Sequence, residues 1–74
     1  MKLTIESTTR IIDIGGGLQA RLWEGRTESG VPVQVLVTRV AVANDAPSDV
    51  LERFERELAE QRAPSVAWPA RLIL

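Results

Sequence analysis

Cysteine, histidine and tyrosine are absent from the 74 residues of this chain. Without cysteine there are no disulfides, no iron–sulfur ligands and no thiol nucleophile. Without histidine the commonest general base and the commonest metal ligand are missing. The serines and threonines therefore have no imidazole to activate them, and the one lysine is Lys2. Long apolar runs are missing too. Nothing approaches the roughly 20 residues of a membrane helix, and residues 1–10 carry no uninterrupted apolar stretch of the signal-peptide kind. A cytoplasmic location with no membrane partner is the expectation. Nine basic against ten acidic residues give a net charge of −1, which argues against general nucleic-acid binding.

What is present is aliphatic: 45% of residues are hydrophobic, yet the aromatics are limited to Trp23, Phe54 and Trp68. The length suits a single domain, residues 1–74. A core of this size seldom supplies more than about 3–5 kcal/mol, so close aliphatic packing or self-association is expected to supplement it.

Alternation of apolar and polar residues marks the strands. Residues 2–6 alternate through Leu3 and Ile5, and residues 10–14 through Ile12 and Ile14. Gly15, Gly16 and Gly17 suit a tight hairpin, because glycine takes positive φ without a Cβ clash. Residues 18–24 alternate again, with Leu18, Ala20 and Leu22 against Gln19, Arg21 and Trp23; residues 25–30 are polar, bounded by glycines, and form a second loop. Residues 31–42 are rich in valine and make the middle strand of the sheet, either with a bulge at Thr38 and Arg39, where the apolar phase slips, or without one and apolar on both faces. Asp45 or Ser48 can cap a helix with Pro47 in its first turn. Val50, Leu51, Phe54 and Leu58 then form an apolar stripe at helical spacing, which runs to about Arg62 before Pro64. Residues 71–74 suit a final edge strand. The expected fold is α+β, in the order β-β-β-β-α with a possible final β: a small antiparallel sheet of four to five strands with one α-helix packed on one face.

Few groups point to chemistry. The triple glycine is followed by a strand rather than a helix and lacks the Gly-Lys-Ser/Thr ending, so it is not a phosphate loop of the usual kind. The carboxylates Glu6, Asp13, Glu24, Glu28, Asp45 and Asp49, and those along the helix, read as a solvated face interleaved with arginine. Neither an enzyme nor a cofactor is expected. Eight of the nine basic residues are arginine, and Arg10 and Arg39, with the Gly16 amide, are candidates for holding an anion. The stronger candidate is an interface. With Ile12, Ile14, Leu18, Ala20, Leu22 and the valines beneath the helix, Ile11, Trp23 and Leu36 emerge together on the other face, ringed by Arg21, Gln34 and Thr38. An apolar centre with tryptophan and an arginine-containing rim is the composition of a contact surface. The competing expectation is that Val66 and Trp68 fold back over that face.

The opening MKLTIESTTR, the central ARLWEG with its following ESG and Val-Pro-Val strand, and the late ELAEQRAPS resemble a group of short proteins encoded in phages and prophages. The shared pattern carries no catalytic motif. The resemblance implies a small gene product in the cytoplasm of a bacterial host, acting by binding and inhibiting a host defence or regulatory factor. Partner capture through Trp23, Leu36, Arg21, Ile11 and Gln34 is the leading expectation. Self-association of an assembly protein is the second, and oligomeric sequestration of an anionic nucleotide signal the third.

Overall fold

A computed structural model describes residues 1–65 of the chain. The expected final strand, the Val66–Trp68 cover and residues 71–74 lie outside the described residues. Those described form three strands and a helix: β1 (Leu3–Asp13), β2 (Gln19–Thr27), β3 (Pro32–Val37) and α1 (Ser48–Leu58). The strands make one antiparallel sheet in the order β1-β2-β3. The α+β reading stands, with three strands among the described residues where the sequence suggested four.

The difference lies in β1. Residues 2–6 and 10–14 are not separate strands but the two ends of β1, joined through a bulge. Ser7 pairs with Trp23 and Ile11 with Arg21, so residues 8–10 together oppose Leu22. The extra residues break the ladder, and side chains repair it. Thr8 is fully buried, and its Oγ1 donates to the Leu22 carbonyl at 2.7 Å while accepting from the Arg10 N–H at 3.3 Å. A buried carbonyl left without a donor would cost about 1–3 kcal/mol, so this hydroxyl is what makes the bulge affordable.

Residues 31–42 do not make the middle strand: among the described strands β2 lies in the middle and β3 at an edge. No bulge forms at Thr38 and Arg39; β3 ends at Val37, and the slip in apolar phase marks a strand terminus. The first hairpin follows the sequence closely. Gly15, Gly16 and Gly17 have φ of 105°, 62° and 76°, a run that residues with a Cβ tolerate poorly, and the Ile14 and Leu18 N–H groups close the turn at 2.9 and 3.0 Å. Gly25, by contrast, belongs to β2 rather than to the second loop. It sits opposite Ile5, and a Cβ there would run into the Thr4 carbonyl and the Ile5 Cα.

Helix α1 starts at Ser48 behind Pro47, with no side-chain cap bond from Asp45 or Ser48, and ends at Leu58, short of Arg62. The early stop has a backbone cause. The Arg62 N–H donates to the Ser7 carbonyl at 3.2 Å and its carbonyl accepts from the Thr9 N–H at 3.0 Å, a parallel bridge along the outer edge of β1. A residue whose main chain is committed to a neighbouring strand cannot also continue the helix. None of the α1 residues is buried, so the close packing of the helix on the sheet foreseen from its apolar stripe is not found.

Burial concentrates on one face of the hairpin: Ile12, Ala20 and Leu22 are the buried apolar residues among those described. Ile14 and Leu18, expected with them, are exposed in the hairpin tip.

Candidate functional site

Strand register decides which side chains can act together, because directly opposed residues of an antiparallel pair share a face. Leu22 opposes Leu36, and Glu24 opposes Gln34; these lie on the buried face with Ala20. Trp23 opposes Val35, Arg21 opposes Val37, and Ile11 opposes Arg21. The second face therefore carries Ile11, Arg21 and Trp23 with the β3 valines, while Leu36 and Gln34 point the other way. The five-residue contact surface expected from the sequence is split by the sheet, and the valines change sides.

The helix also stands on the side the sequence reading left open. Glu55 and Leu58 of α1 and Ala59 just after it line a cleft of about 470 Å³ with Ser7, Arg21, Trp23 and Val37 of the sheet; Thr38, Arg39, Val40 and Gln61 complete its rim. Trp23, Val37, Leu58 and Ala59 give the cleft an apolar floor. Arg21 and Arg39 bring two positive charges against the single carboxylate of Glu55. The guanidinium of Arg21 is anchored, its Nη1 donating to the Thr8 carbonyl at 2.9 Å. The bulge that reshapes β1 thus also sets the position of this arginine. Arg39, on the segment after β3, is exposed.

The other candidates disperse. Ile11 is 46% exposed and does not line the cleft. Arg10 and Gly16 are not brought to Arg39 there, and the Gly15 amide at the start of the glycine turn already donates to Asp13 Oδ1 at 2.8 Å. An anion at that turn would meet a carboxylate first. Among the described residues no group of three or more aspartates or glutamates is placed to hold a metal ion. No described helix is long and apolar enough to cross a membrane.

One polar cluster was not foreseen. Glu24 is 4% exposed, although it was read from the sequence as one solvated carboxylate among many. Its Oε1 accepts from Arg62 Nη1 at 3.0 Å and from the Ser65 N–H and Oγ, each at 3.0 Å. Arg62 Nε meanwhile reaches the exposed Glu6 Oε2 at 3.1 Å. Residues 62–65 are thereby fastened across the buried face of the sheet. The sequence did hold a signal: Glu24 continues the phase of Leu18, Ala20 and Leu22, and a carboxylate in phase with a buried face needs a partner.

Comparison with known proteins assigns no family. No family model, curated protein or solved structure matches this chain.

Proposed function

We propose that this chain is a small non-catalytic binding protein, and that the cleft between the Trp23 face and α1 is its contact surface. The observation that supports this is the joining of an apolar floor at Trp23, Val37 and Leu58 to the cations Arg21 and Arg39 in one concavity of about 470 Å³. Tryptophan and arginine are the side chains that most often dominate binding energy when partly desolvated. Two arginines against Glu55 favour a partner segment that is both apolar and acidic. The resemblance to short phage and prophage proteins supplies the context for this reading: a protein of the bacterial host cytoplasm as partner, and inhibition of a host defence or regulatory factor as the outcome.

The test is capture of partner from the host by the tagged chain, compared with Trp23→Ala and Arg39→Glu. Each variant should lose about tenfold or more in affinity, the range of a contact that dominates an interface, while its circular dichroism and unfolding midpoint stay native. Undiminished capture by both folded variants would remove the cleft from the interface.

The volume of the cleft also supports a second reading. Small-molecule sites begin at about 300 Å³, so one chain has room for an anionic nucleotide stacked on Trp23 with its phosphates toward Arg21 and Arg39. Native mass spectrometry of gently purified protein distinguishes the two, because only this reading gives an adduct of nucleotide mass that Trp23→Ala abolishes.

A further inference from the structure

Strand β3 is an edge of the sheet, and no described segment pairs with its outer side. Edge strands are ordinarily protected by charge, by proline, by a bulge or by a covering element. Here the sequence from Val31 to Val37 is Val-Pro-Val-Gln-Val-Leu-Val, with no charge and a single proline near its start. It also has a symmetry: read outward from Gln34, it meets valine on both sides, then proline or leucine, then valine again.

We propose that two copies of this chain pair antiparallel through β3, with Gln34 on the two-fold axis. In that register Val33 opposes Val35 of the second copy and Val31 opposes its Val37, so one face becomes an unbroken row of β-branched pairs, which favour strand association. On the other face Pro32 meets Leu36 and Gln34 meets Gln34. The side-chain amide of Gln34 fits the same two-fold. Both Nε2 and Oε1 are shielded from solvent and have no hydrogen-bond partner among the described residues. With the two Gln34 residues directly opposed on one face of the joined sheet, each amide can give one donor and one acceptor to its copy, and the two-fold satisfies both at once. A foreign strand would gain nothing from this symmetry, whereas a second copy uses all of it.

The small extent of the monomer's buried face points the same way. Among the described residues only Ile12, Ala20 and Leu22 are buried apolar side chains, and domains of this size commonly gain further burial by association. The product is a continuous sheet in the order β1-β2-β3-β3-β2-β1. The proposal does not depend on what the Trp23 cleft binds.

The chain contains no cysteine, so single-cysteine variants report this register without background. Val31→Cys protein is mixed with isotopically heavy Val37→Cys protein and oxidised gently. Opposed residues lie about 4.5–5.5 Å apart between Cα atoms, within the roughly 4.4–6.8 Å that a disulfide spans. Either variant alone places its two cysteines six residues out of register, about 20 Å apart. The expected result is a light–heavy disulfide at least about tenfold above either variant alone, with unmodified protein sedimenting as a dimer as concentration rises. Val31 is already exposed at 54% and Val37→Cys is a small change, so both variants should fold; native circular dichroism checks this. Equal cross-linking of each variant by itself overturns the register. A monomer at every concentration overturns the dimer, and if its β3 amides are nonetheless protected from exchange, the edge belongs to residues 66–74 of the same chain.

Discussion

Replacing Glu24 by glutamine keeps the shape of the side chain and removes its charge. In the native structure Glu24 Oε1 accepts from Arg62 Nη1, the Ser65 N–H and Ser65 Oγ, each at 3.0 Å. An amide oxygen can occupy the same place, so these bonds change in kind rather than vanish. A hydrogen bond to a charged group contributes about 1.5–3 kcal/mol against about 0.5–1.5 for a neutral one, a difference near 1 kcal/mol for each of three donors. Part of this is offset, since an amide costs less to bury than a carboxylate. The expected net loss is about 2 kcal/mol, a large share of the roughly 3–5 kcal/mol a core of this size supplies. Glu6→Gln provides the control. Glu6 pairs with the same arginine at 3.1 Å, but its side chain is 72% exposed, and exposed pairs contribute about 0–1 kcal/mol. Urea unfolding of both variants measures the contrast. With a slope of about 1 kcal/mol per molar for a chain this short, Glu24→Gln should lower the midpoint by about 2 M and leave the slope unchanged. Equal losses for the two variants, or a Glu24→Gln protein as stable as the parent, would refute the claim that burial of this carboxylate fastens residues 62–65 to the sheet.

Thr8→Val should cost about 1–3 kcal/mol, because it leaves the Leu22 carbonyl without its 2.7 Å donor in a fully buried site; Thr8→Ser, which retains the hydroxyl, should cost clearly less in the same unfolding assay. Gly25→Ala sets a Cβ against the Thr4 and Ile5 backbone, and overpacking of this kind costs about 1–3 kcal/mol; hydrogen exchange should show loss of protection across residues 3–6, and unchanged exchange there would refute the close approach.

The local pattern of the sequence determined a good deal. The glycine run had to be a turn, because three successive positive φ values are inexpensive only without a Cβ. The alternation at residues 18–24 had to be strand, that at residues 31–42 is strand only as far as Val37, and Ile12, Ala20 and Leu22 were correctly grouped on one face. The helix over Val50, Leu51, Phe54 and Leu58 was likewise set by its 3.6-residue period.

Local period assigns each strand two faces, but it cannot say which face of one strand meets which face of the next. That choice depends on register, and register is set by turns and bulges. The bulge at residues 8–10 and the pairing of Trp23 with Val35 moved the valines to the tryptophan side and parted Leu36 and Gln34 from Trp23. The end of the helix was likewise decided from outside it, by the backbone of Arg62 bonding to Ser7 and Thr9. Glu24 and Ser65 are 41 residues apart, and no window of sequence short enough to show a period contains both. The strands, turns and helix follow from neighbours in sequence. The cleft and the buried carboxylate exist only once distant segments have been brought together.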